Sequence, residues 1–154
     1  MSKDAQDAQG VKDAKGAKGA RAEANLALVR RFFEYYATDN VTALRDDVLA
    51  ADAVWRVAGR HPLAGDHRGA EAIVDFYRAL AAADLHVEPL FFEANADWAV
   101  EVHRMRSEGA DGPALDTSWV LTFRITDGRI SEVRYTATDQ EAADSFFRAL
   151  LAAA

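Results

Sequence analysis

Between Leu115 and Thr138 lies the feature that most limits what this chain can become. Two alternating apolar–polar runs, "LDTSWVLTFRI" and "ISEVRYTAT", flank Thr126-Asp127-Gly128-Arg129. Asp-Gly between two runs of period two signals a hairpin with a two-residue turn. The alternation puts Trp119, Leu121 and Phe123 on one face of the first strand, and Val133, Tyr135 and Ala137 on one face of the second. The chain must therefore supply a cover for one apolar side of an antiparallel sheet.

Candidate covers stand on both sides of the hairpin. "NLALVRRFFEYYA" places Leu26, Val29, Phe33 and Tyr36 on one helical stripe, with Leu28, Phe32 and Tyr35 beside it. "VTALRDDVLA" reads as a short second helix after Asn40, and "DAVWRVAG" as a strand with Ala53, Trp55 and Val57 inward. "GAEAIVDFYRALAAA" is an amphipathic helix with Ile73, Val74, Tyr77 and Leu80 inward. "LHVEPLFFE" alternates but contains Pro89, which suits an edge or a bulge. "WAVEVHRMRSE" alternates, "GADGP" turns, and Thr138 with Glu141 forms a capping box opening a last helix, "DQEAADSFFRALLAAA". Helices grouped before an antiparallel meander predict an α+β domain with helices on one face of a bent sheet. A curled sheet closed in this way is a cone with one open end, where a small ligand would go.

The first 24 residues are different material. They lack aromatics, hold all four lysines of the protein, and offer no apolar face, so residues 1–24 read as a disordered tail and 25–154 as the domain. The chain carries −7; the tail's five basic and four acidic residues contribute +1, which leaves −8 on the domain. That sign gives a nucleic-acid partner no electrostatic support. No segment resembles a signal peptide or a membrane span, so a soluble cytoplasmic domain is expected. The absence of cysteine excludes disulfides, thiolate chemistry and cysteine-ligated zinc.

The most site-like stretch is "GRHPLAGDHRG", where His61, Asp66, His67 and Arg68 crowd between glycines. His61 and His67 are six apart, which fits neither the i, i+4 pair of a helix nor a facial triad, so no metal is expected there. The loop reads as a glycine-shaped turn at the cone's rim, with His61 kept as a ligand contact. In "WAVEVHRMRSE" one phase turns Trp98, Val100 and Val102 inward with Arg104 following, leaving Glu101, His103 and Met105 outside; a one-residue slip swaps the two sets.

Three pieces in order, Trp55 and Gly59 leading into "HPLAGDHRG" and a helix, then "FRITDGRISEVRY", then "DQEAADSFF", carry a family resemblance. From Asn25 to Leu151 the chain resembles the nuclear-transport-factor-2-like superfamily, in particular its SnoaL-like and ketosteroid-isomerase-like branch. The resemblance implies an α+β cone, a curled and mostly antiparallel sheet closed by N-terminal helices around a small-molecule cavity. It implies a cofactor-free isomerase, cyclase or dehydratase acting on a hydrophobic, polyketide- or steroid-like molecule, or else a non-catalytic ligand-binding or interaction module. It also implies a homodimer through the outer sheet face, where His86, Glu88, Glu101, His103, Asp116, Ser118, Thr122, Arg124, Glu132 and Arg134 are expected.

Catalytic relatives place acids or bases on the first, fourth and last strands. The matching residues here are Val57, Leu121 and Tyr135, and the isomerases' first-helix tyrosine maps to Phe32, with Tyr35 and Tyr36 one turn later. No carboxylate stands at the three strand positions. The catalytic candidates are therefore Tyr135 as hydrogen-bond donor and His103 or His61 as proton shuttle. The substrate walls are expected from Trp55, Val57, Tyr36, Arg104, Trp119, Leu121 and Phe123, with no metal and no cofactor.

Overall fold

The computed structural model describes residues 3–109 and 112–152. The chain begins with α1 (Lys3–Ala37), then α2 (Val41–Ala43), a π-helical turn (Leu44–Val48), β1 (Leu49–Val57) and β2 (Gly65–Arg68). It continues through α3 (Gly69–Ala81), β3 (His86–Ala94), β4 (Trp98–Ser107), β5 (Leu115–Thr126), β6 (Arg129–Ala137) and α4 (Gln140–Ala152). The six strands form one open sheet in the order β2-β1-β6-β5-β4-β3; β1 runs parallel to β6 and every other pair is antiparallel. The expected α+β architecture and meander are observed.

The β5–β6 hairpin forms as its sequence dictates. Asp127 and Gly128 both have positive φ, 52° and 73°, and Thr126 pairs with Arg129 across the turn. Trp119, Leu121, Phe123, Val133, Tyr135 and Ala137 are all buried, so the sheet's inner face follows the alternation. α1 lays Leu28, Val29 and Phe32 on that face, and Phe32 stacks on Trp55 with ring centroids 5.0 Å apart. Asn25 is the first buried residue among those described, and its side-chain amide donates to the Asn95 carbonyl at 2.9 Å, fastening α1 to the β3–β4 turn.

Four local expectations differ from the structure. The segment before Asn25, expected to be a disordered tail, is helical from Lys3, because its alanines and lysines extend the α1 backbone without needing a buried face. The short second helix divides into α2 and the π turn, and β1 starts at Leu49. The glycine loop contains a short strand, β2, which pairs with β1 through Trp55–His67 and Val57–Gly65. The last helix is capped by Asp139, whose carboxylate accepts from the Ala142 N–H at 3.1 Å, while the Thr138 hydroxyl donates to the Ser118 carbonyl. Pro89 lies on edge strand β3, where pairing with β4 shifts register between Pro89 and Phe91, as its ring requires.

Candidate functional site

The phase of β4 decides the chemistry. Ala99, Glu101, His103 and Met105 are the buried set, and Arg104 lies on the outer face, bonded to the Asp116 carboxylate at 2.8 and 2.7 Å. This is the slipped register, and it removes Arg104 from the expected substrate wall. Two restraints set it. The Asn95 carboxamide oxygen accepts from the Asp97 and Trp98 N–H groups and fixes the turn, and β4 pairs with β5 so that His103 faces Trp119 and Glu101 faces Leu121. Directly paired residues share a face, and Trp119 and Leu121 are inward, so Glu101 and His103 must be inward too.

Inside, the imidazole and the carboxylate find each other. His103 Nδ1 lies 2.8 and 3.1 Å from the two Glu101 carboxylate oxygens. A carboxylate only accepts, so Nδ1 carries the proton and, in the neutral ring, Nε2 keeps its lone pair. The His103 ring lies parallel to Trp119, and His103 is 6% exposed. Nε2 is buried and has no hydrogen-bond partner among the described residues.

These groups border a cavity of about 690 Å³ between α1, α3, β3 and β4. Tyr36, Tyr77 and Tyr135 share its wall with Glu101, His103 and Met105. The Tyr77 and Tyr135 hydroxyls are also buried without a partner. Buried polar atoms are nearly always paired, and here three residues that carry an unpaired one line the same cavity. Burial, and then the Glu101 charge, pushes the Tyr36 phenol up to about 12. Burial pushes Tyr77 and Tyr135 well above the ordinary phenol range, with neighbouring tyrosines and Glu101 adding to it. All three phenols are therefore hydrogen-bond donors at any physiological pH.

The other sequence candidates are elsewhere. Trp55, Val57, Trp119, Leu121 and Phe123 pack in the core, and none of them lines the cavity. His61 turns toward α4: its Nδ1 accepts from the Leu63 N–H, its ring lies 4.8 Å from Phe147, and its Nε2 is 3.9 Å from the Asp144 carboxylate. Burial lowers the His61 pKa, against the opposing pull of Asp144. The Asp144 carboxyl is raised by burial but ends below its ordinary range through hydrogen bonds from Gln140 and the Arg60 N–H and the charges of His61 and Arg148. His67 is held by the Leu63 carbonyl and Asp66 by Arg56. The loop is thus a brace between β1 and α4. Sequence reasoning did not select Tyr77, assigned to the core, or Glu101, assigned to the outer face. The spacing of Glu101 and His103, i and i+2 on a strand, was the signal that they share a face.

Comparison with known proteins agrees with this architecture. The family model of the SnoaL-like domain matches residues 29–133. The uncharacterized protein Rv0034 of Mycobacterium tuberculosis is 32% identical over 129 residues, covering 81% of this chain and 97% of the relative. Among solved structures, Bal32a from a soil-derived mobile gene cassette superposes with a TM-score of 0.71 at 26% identity, covering 83% of this chain and 99% of the other. A protein of Jannaschia sp. CCS1 described as a candidate SnoaL-like polyketide cyclase superposes at 0.64 with 19% identity, over 82% of this chain and 93% of that one; at that identity the likeness concerns the fold alone. Among the described residues no helix is long and apolar enough to cross a membrane.

Proposed function

Because the chain belongs to the SnoaL-like family, with its NTF2-like fold, we propose that it is a cofactor-independent acid–base catalyst acting on a hydrophobic, polyketide- or steroid-like carbonyl compound. The reaction class is isomerisation, cyclisation or dehydration, which share a first step. His103 Nε2 takes a proton from the carbon next to the carbonyl, and the C–H electron pair moves into an enolate whose oxygen accepts hydrogen bonds from Tyr135 and Tyr77. Glu101 holds the ring in the Nδ1–H form and stabilises the imidazolium that results. His103 then returns the proton to another carbon, or to a departing hydroxyl that leaves as water; in a cyclisation the enolate carbon adds to a second carbonyl and His103 protonates the new alkoxide. The observation that carries the reading is the buried His103–Glu101 pair in the wall of the cavity, with Nε2 left without a partner.

The assay does not need the natural substrate. A panel of planar enolisable ketones is incubated in heavy water and exchange at the α-carbon is followed by proton NMR. Acceleration by the wild-type protein, lost about 10²–10⁴-fold in His103→Gln, is the expected result. Tyr135→Phe loses rate as well, with little change in thermal stability, since the hydroxyl it removes has no partner. Ketones that bind without exchanging would sink the catalytic reading and leave the binding module, which the apolar residues at Val57 and Leu121 favour.

The outer sheet face supports pairing of two copies. Val102 pairs with Val120, and Val100 with Thr122, placing an apolar centre on that face between Arg104 and Arg124. A two-fold dimer there predicts that Val102→Arg halves the mass measured by analytical ultracentrifugation. A wild-type protein already monomeric at micromolar concentration would remove the dimer.

A further inference from the structure

The cavity wall carries one side chain whose role the acid–base reading does not use. Arg30 of α1 is the only lysine or arginine among the described residues that line the cavity. Its guanidinium carbon lies 5.5 Å from the centroid of the Phe92 ring, and Phe92 is the cross-strand partner of Glu101. The positive charge is thus held over an aromatic ring one strand away from the His103–Glu101 pair.

Its surroundings leave that charge uncommitted. Arg56, Arg78, Arg104 and Arg134 each pair with a carboxylate on the surface. Arg30 makes no such pair among the described residues, although Glu34 is one turn further along α1 and lines the same cavity. Arg106 and Arg124 also lack an ion pair among the described residues; Arg30 differs from them in lining the cavity, at an exposed position where its free N–H groups are open to solvent. The ring contact holds the guanidinium in place while its N–H donors remain free, in the fork that suits a carboxylate.

We propose that Arg30 determines the ligand class of this cavity: an aromatic or polycyclic molecule bearing a carboxylate or similar oxyanion, which seats on Arg30 while the uncharged end reaches toward His103. The proposal rests on the reading of the cavity as a ligand site, and deepens it.

The test uses two fluorescent probes of one shape, 1-anilinonaphthalene-8-sulfonate and its uncharged parent N-phenyl-1-naphthylamine, titrated into the full-length protein. Wild type should bind one molecule of each per chain. Arg30→Gln should weaken the sulfonate by about tenfold, the loss expected for one charge-assisted contact, and leave the uncharged probe unchanged. Arg30→Lys should recover part of the loss. An Arg30→Gln protein that keeps its affinity for the sulfonate, or loses both probes equally, overturns the assignment. If neither probe binds wild type, the cavity reading falls and takes this proposal with it. Because the readout is binding, a failure of the deuterium-exchange assay leaves the Arg30 result standing, and the two ideas fail separately.

Discussion

Gly59 and Gly65 provide a controlled experiment on the brace between the β1–β2 loop and α4. Their φ angles nearly coincide, +114° and +111°, a region that side chains other than glycine rarely adopt. Their surroundings do not. A Cβ on Gly65 would meet nothing within 4 Å, whereas one on Gly59 would collide with the Asp144 carboxylate and the Gln140 carboxamide and press against the His61 ring. Gln140 donates to the Ala58 carbonyl at 3.2 Å and to Asp144 at 3.0 Å, and its oxygen accepts from the Ala137 N–H, so the collision falls on the group that ties β1, β6 and α4 together.

Backbone strain for alanine at either site is worth roughly 2 kcal/mol. Gly65→Ala should cost that alone. Gly59→Ala should add the loss of about two hydrogen bonds at roughly 1 kcal/mol each, for a total near 4 kcal/mol. At about 2.1 cal/mol/K per residue over a domain of about 130 residues, melting points should fall by roughly 7 °C and 15 °C respectively. The measurement is thermal unfolding followed by circular dichroism, with urea midpoints as a check on the free energies. Equal shifts for the two variants would refute the argument, because the close approach of Gly59 to α4 is then not a determinant of stability.

Two further outcomes follow from the same groups. His61 has a folded pKa below its ordinary value, so the fold prefers the neutral ring: stability is complete above about pH 6.5 and declines as pH falls from there toward the folded pKa. Asp144 is also depressed, so its share is present above about pH 3.8 and is lost as pH drops through its folded value. Urea midpoints should therefore decline in acid, His61→Gln should flatten the upper part of that decline, and a midpoint that rises between pH 7 and 5 contradicts the His61 assignment. At His103, nitrogen NMR of the neutral wild-type ring should show the proton on Nδ1. Glu101→Leu should abolish that preference, and an unchanged tautomer would mean that Glu101 does not orient the ring.

Much of the fold was legible because its determinants are local. Asp127-Gly128 fixes its hairpin, and alternation alone turns Tyr135 and Trp119 inward. Pro89 marks the edge strand. The glycine stretch was legible only as a turn, because β2 is four residues long and gains its strand character from pairing with β1, a tertiary contact. The polar crowding that made His61 look like a site residue has another cause: the loop meets Asp144 and Gln140 of α4, distant in sequence, and its polar groups serve that contact. Residues assigned to the cavity wall, such as Trp55 and Phe123, are inward as expected but lie in the packed core. Alternation gives the face of a strand and carries no information on how far along it the cavity extends.

Strand β4 is where local reading fails, and the failure has a physical meaning. Its more apolar set, Trp98, Val100 and Val102, faces out, while Glu101 and His103 are buried. Burying a carboxylate and an imidazole is costly, and the 2.8 Å contact between them offsets only part of that cost, since Nε2 is left without a partner. A sequence selected for stability alone would place valines inside. Breaches of a local rule of this kind are expected at functional sites. The inner breach coincides with the cavity, and the outer one coincides with the sheet face on which a second copy is proposed to dock. Phe92, Glu101, Leu121, Tyr135 and Val57 are successive cross-strand partners in one row, and Glu101 is the carboxylate in it. From that position it holds the ring of His103, two residues along the same strand.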